Sequence, residues 1–176
     1  MSALPAKNLI QTSALIEVRA KEARNDTLAR EIQRDLQDLN FLKRRTKPAK
    51  VGMSPTKWVQ TSRLYRLEGA LQPQELEKIA RELLVDPVIE EYTITPLKKS
   101  ASLSNHNVRT HFDIWFKPGV TDPAGETIEK GIQDLGVSKP VKARQGMRYS
   151  FSHVQDPRKF VEEVIYNPLI HELNIH

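Results

Sequence analysis

Apolar and polar residues alternate early in the chain and then change period. Ile16, Val18 and Ala20 are separated by Glu17 and Arg19, a period of two that predicts a half-buried strand. Leu28, Ile32, Leu36 and Leu39 follow at helical spacing. Tyr65 and Leu67 alternate again, and Ile79, Ala80, Leu83 and Leu84 give a second helix an apolar face. That helix is expected to stop at Asp86-Pro87, because the residue before a proline is pushed out of the helical region. A short apolar strand, Val88–Ile94, closes the series.

The series then recurs. Phe112, Ile114 and Phe116 repeat the first strand's phase, and Ala124, Ile128, Ile132 and Leu135 repeat the helix. Tyr149 and Phe151 alternate like Tyr65 and Leu67, and Phe160, Val161, Val164 and Ile165 form the second apolar face. Asn167-Pro168 is the second stop, before Leu169–Ile175. A shift of 96 lays Glu17–Leu39 over Asp113–Leu135, with Lys21/Lys117, Asp26/Asp122 and Ile32/Ile128 among six identical pairs. A shift of 84 lays Tyr65 over Tyr149, and a shift of 81 lays Pro87, Ile89, Glu91 and Ile94 over Pro168, Ile170, Glu172 and Ile175. The shift falls in one direction, as two gaps in a single alignment would produce.

Each copy therefore reads strand, helix, strand, helix, strand, with a middle strand that could split at Gly146 and near Ser62. That order predicts an α+β chain of two tandem two-layer units with pseudo-two-fold symmetry. The expected boundaries are 1–97 for the first unit, 98–110 for a linker and 111–176 for the second. From Thr95 to Val108 the composition is that of a flexible connection, Ser100-Ala101-Ser102-Leu103-Ser104-Asn105 included. The first unit carries a basic insertion at 43–57, where Lys43, Arg44, Arg45, Lys47 and Lys50 cluster beside Pro48 and Pro55. It reads as a solvated loop rather than a phosphate- or partner-binding one.

Composition narrows the function. The 176 residues contain no cysteine, which excludes disulfides, thiolate metal sites and a cysteine nucleophile. No apolar run approaches the span of a bilayer and the N-terminus is not a signal peptide, so a cytoplasmic location is expected. No glycine is followed by lysine, so there is no P-loop. His106, His111, His153, His171 and His176 lack the spacing of a zinc helix, and no metal or cofactor is expected. The formal net charge of +5 suits an acidic protein partner or nucleic acid. A basic α/β nucleic-acid-binding module is the alternative reading, disfavoured by 6% aromatic content and the absence of an RNA-binding aromatic strand motif. A small-molecule sensor of paired α/β units is a third class that no feature singles out.

The run Phe116-Lys117-Pro118-Gly119-Val120-Thr121-Asp122-Pro123-Ala124-Gly125 leads from a strand into an amphipathic helix and resembles the PurS family. So does Glu162-Glu163-Val164-Ile165-Tyr166-Asn167-Pro168-Leu169-Ile170, echoed in the first copy by Ala80 to Tyr92. The first copy has Glu22-Ala23 where the second has Pro118-Gly119, and Ala29 in place of Gly125; Asp26 is kept.

The resemblance implies tandem PurS-like units of ferredoxin-like form, whose closing strands would sit near the other copy's sheet. It implies a non-catalytic assembly subunit of phosphoribosylformylglycinamidine (FGAM) synthase in purine biosynthesis. The partners it implies are a PurL-type synthetase and a PurQ-type glutaminase, with self-association open and no nucleic acid or membrane. The end at His176, directly after the last strand, favours a separate subunit over an excised domain. Asp122 and Asp26 are expected to cap helices, and Gly119 and Gly125 to make tight turns. The expected partner interface is Trp115, Lys117, Pro118, Gly119, Asp122 and Gly125. Trp115 points away from Phe112 and Phe116 and would offer apolar area to a partner.

Overall fold

In a computed structural model, residues 12–41, 59–97, 110–152 and 154–176 are described. The basic cluster at 43–50, the serine-rich connection, His106 and His153 lie outside them. The elements run β1 (Thr12–Ala20), α1 (Thr27–Asp38), β2 (Val59–Gly69), α2 (Pro73–Ile79), β3 (Glu90–Pro96), β4 (Thr110–Phe116), α3 (Pro123–Asp134), β5 (Val141–Phe151), α4 (Pro157–Phe160) and β6 (His171–Ile175). The strands form one antiparallel sheet in the order β3-β1-β2-β5-β4-β6. The helices cover one face of it.

The ladder carries the three shifts found in the sequence. Ile16 pairs with Tyr65, and Phe112, 96 positions on, pairs with Tyr149, 84 positions after Tyr65. On its other side Ile16 pairs with Ile94, and Phe112 with Ile175, 81 positions later. Local detail recurs in step. Both α2 and α4 end in π-helical turns, Ala80–Leu84 and Val161–Ile165, again 81 apart.

The joint between the halves is the β2–β5 ladder, eleven residue pairs from Val59↔Phe151 to Gly69↔Val141. Both strands are unbroken, so the break anticipated at Gly146 and Ser62 does not occur. Gly146 serves close approach instead: a Cβ there would lie 2.6 Å from the Trp115 ring. The closing strands also differ from expectation. Each lies at the outer edge of its own half, β3 beside β1 and β6 beside β4, not near the other copy's sheet. They begin later too, at Glu90 and His171, leaving Val88-Ile89 and Leu169-Ile170 in exposed turns.

What crosses between the halves is the first helix of each. One hydrophobic cluster joins Ala14, Ile16, Val18, Leu67 and Ile79 of the first half to Ile128, Ile132 and Val137 of the second. The other joins Phe112, Tyr149, Phe151 and Phe160 to Ala29, Ile32 and Leu36 of α1. Helix α3 therefore completes the first half's core and α1 the second's. Each fully buried aliphatic residue here contributes about 1.5–3 kcal/mol of transfer free energy.

Two apolar positions differ from the helical reading. Leu39 ends α1 as its C-cap and is exposed. Val164 is exposed as well. Its counterpart Leu83 is half-buried against Gly131 of α3, where α1 has Asp35 at the equivalent position.

Charge is unevenly divided. Ten of the 27 Lys and Arg residues fall in the undescribed segments, whereas all 22 Asp and Glu are described. The described residues thus hold 17 basic against 22 acidic side chains, and the basic character of the chain lies in the remaining segments.

Candidate functional site

The corner between β4 and α3 is built by residues repeated in both halves. Asp122 caps α3 through Oδ1, which accepts from the Gly125 N–H at 2.9 Å. Its Oδ2 accepts from the Gln145 N–H of β5 at 2.7 Å. Asp26 does the same for α1, accepting from Ala29 N–H at 2.9 Å and from Thr61 N–H of β2 at 2.8 Å. Its Oδ1 also accepts from the Thr61 hydroxyl. Thr61 and Gln145 are 84 apart, the shift of the middle strands. Each aspartate therefore fixes a helix start to the strand that follows it.

Lys117 ties the corner to the closing turn. Its backbone N–H donates to the Ile170 carbonyl at 2.9 Å and its ammonium to the Pro168 carbonyl. Lys21 repeats both contacts with Ile89 and Pro87. Gly119 takes φ +87° in the turn before α3, a left-handed conformation that favours glycine. In the first half, a 3-10 turn at Ala23–Asn25 replaces that glycine turn. Gly125 is not a turn residue. It is buried in the first turn of α3, where a Cβ would meet the Ala143 carbonyl oxygen at 2.6 Å.

The six expected interface residues thus fall into different environments. Pro118 and Gly119 are exposed at the tip of the loop. Lys117 and Asp122 are half-buried and occupied with internal bonds, and Gly125 is packed in. Trp115 does point to the face opposite the helices, but only 5% of it is exposed. It clusters there with Leu15, Leu64 and Leu97, and the Arg66 and Arg144 guanidiniums lie over its ring at 5.6 and 5.8 Å. Behind the corner, Phe116, Asp122, Gln145, Met147, Tyr149 and His171 line a cavity of about 150 Å³. Burial raises the Tyr149 phenol's pKa and lowers that of the His171 imidazole.

The hydropathy pattern missed two exposed apolar positions, one beside the corner of each half. Leu169 is 82% exposed and its counterpart Val88 79%. Both follow the proline that stops the second helix, and the signal was present: an apolar pair set ahead of the alternating strand. Pro118, Gly119, Pro168 and Leu169 consequently share one edge of the molecule, joined by Lys117.

On the opposite sheet face Arg148 donates to Asp113 at 2.7 and 2.8 Å and to Glu17 at 2.7 Å, spanning both halves. His111, hydrogen-bonded to the Ser150 hydroxyl at 2.7 Å, has its pKa lowered by burial and next by the Arg148 charge. Among the described residues no group of three potential metal ligands occurs, and no helix is long and apolar enough to cross a membrane.

Residues 109–176 match the model of the PurS family, described as Phosphoribosylformylglycinamidine (FGAM) synthase. None of the curated proteins compared with the chain matches it. The matched segment is the second half, from β4 to the end of β6, and it contains the whole Lys117–Gly125 corner and the Pro168 turn. That family ties the chain to FGAM synthase and so to purine biosynthesis. Residues 109–176, the second half of the sheet, are thus similar to the PurS family.

Proposed function

We propose that the chain is a non-catalytic assembly component of FGAM synthase, formed by two fused PurS-like units, the first diverged from the second. It would hold a PurL-type synthetase and a PurQ-type glutaminase together in the cytoplasm. The observation that carries this reading is the shared ladder: the half matched by the family model is repeated by the other at shifts of 96, 84 and 81. The absence of cysteine supports a non-catalytic role, because a glutaminase of the thiolate type needs one. A nucleic-acid reading draws no support from the described sheet and helices, whose acidic side chains outnumber the basic ones.

The partner surface we assign is the edge formed by Lys117, Pro118 and Gly119 with Pro168, Leu169 and Ile170. An exposed leucine beside a proline-fixed, glycine-containing loop gives apolar area on a backbone that a partner can approach closely. Mixing the purified chain with the synthetase and glutaminase and measuring assembly by sedimentation tests the reading. The Lys117→Glu and Leu169→Asp variants should stay folded and assemble at least tenfold more weakly. If they assemble normally while neutralising Lys43 to Lys50 abolishes assembly, the surface is the basic cluster. If the unmodified chain joins neither protein, the assembly role is wrong.

A further inference from the structure

On the sheet face opposite the helices, Arg66 of β2 stands directly across from Arg144 of β5. Like charges paired this way across strands repel one another. Arg144 is compensated: it donates to Glu172 at 2.9 Å and to the Phe116 carbonyl. Arg66 is not. Among the described residues, its buried Nε has no hydrogen-bond partner and its guanidinium forms no salt bridge, not even with Glu68 two residues on. The Trp115 ring beneath both cations supplies partial compensation. The missing carboxylate cannot come from the undescribed segments, which contain no Asp or Glu.

We propose that Arg66, with Arg144 and Trp115, forms a docking site for an acidic side chain of a partner protein. A carboxylate placed between the two guanidiniums would accept charge-assisted bonds from both and remove their repulsion. Leu15, Leu64 and Trp115 are themselves covered, so this face offers a partner its two half-buried cations, and charge complementarity selects an acidic side chain. The site occurs once per chain: the shift of 84 puts Gln60 and Ser150 at the equivalent positions, and Trp115 is matched by Arg19. The proposal rests on the assembly reading only for the identity of the partner.

Trp58→Phe leaves Trp115 as the sole tryptophan and so as a local probe. Titrating that protein with a capped hexaglutamate peptide at low salt should shift the Trp115 emission. Adding Arg66→Ala should weaken the response at least tenfold, whereas Arg81→Ala, on a helix away from this face, should not. Arg66→Lys keeps the charge but loses the planar fork; it should also weaken binding, and it serves if the alanine variant fails to fold. An unchanged response in both Arg66 variants overturns the site. An equal shift with acetate at the same carboxylate concentration overturns the polypeptide assignment. If the peptide response depends on Arg66 but the chain does not assemble with the synthetase, the docking site stands and the assembly reading fails.

Discussion

The repeated identities are concentrated at residues whose side chains connect elements. Asp26 is buried and accepts three hydrogen bonds, two to Thr61 and one to Ala29. Asp122 is half-buried and accepts two. Removing such an acceptor loses a helix cap and leaves a strand N–H unpaired, together about 1–3 kcal/mol. Asp26→Ala should therefore lower the urea midpoint more than Asp122→Ala, and the reverse order would refute the difference in burial as the cause. His111 sets a pH dependence. Burial and the Arg148 charge hold its folded pKa below that of the unfolded chain. The unfolded state then binds more protons as pH falls below about 6.5. This contribution to stability is full above that pH and is lost as pH falls through the folded value. His171 shifts the same way through burial. Urea midpoints at pH 7.5 and 5.5 should differ, and His111→Gln, which can still bond Ser150, should reduce the difference.

At the scale of elements, position along a strand says less than what lies across it. Gly146 reads as a strand breaker in isolation, yet β5 passes through it because Trp115 of the neighbouring strand occupies the space of its side chain. Gly146→Ala would force the indole or the Ile114 carbonyl, 2.9 Å from the new Cβ, to move. Overpacking of this kind costs about 1–3 kcal/mol, and the Trp115 emission should shift with it in the Trp58→Phe background. Unchanged stability and emission would show that the ring relaxes freely. The Arg148 bridge tests the sheet from the other end. Arg148→Ala leaves the buried Asp113 carboxylate without its bidentate partner, so a loss on the order of 3 kcal/mol is expected in urea unfolding. Asp113→Asn should recover part of that loss in the double variant by removing the uncompensated charge.

For the whole molecule, the crossing of α1 and α3 decides cohesion. Neither core is closed by residues of one half alone. Cleaving a protease site inserted within Ser100–Asn105 should therefore leave a complex that co-elutes as a single species. The eleven-pair β2–β5 ladder and both mixed cores would hold it together. Residues 1–97 expressed alone should fail to give a compact, cooperatively unfolding monomer. Separation of the cleaved halves on a sizing column would contradict this.

Sequence periodicity determined most of the element order, because alternation and helical spacing report which residues one element buries. The aspartate caps and the proline stops were legible for a similar reason: each acts on backbone within a few residues. The internal shifts of 96, 84 and 81 recur in the ladder, since equal registers demand equal spacing, but they do not say which strands pair. What the sequence could not show was partnership over distance. That Trp115 is covered, that Arg66 meets Arg144, and that each first helix packs on the other half depend on which strands become neighbours across the β2–β5 joint. Only the tertiary structure sets those neighbours, because hydrophobic burial is non-directional and a period reports a face without naming what covers it.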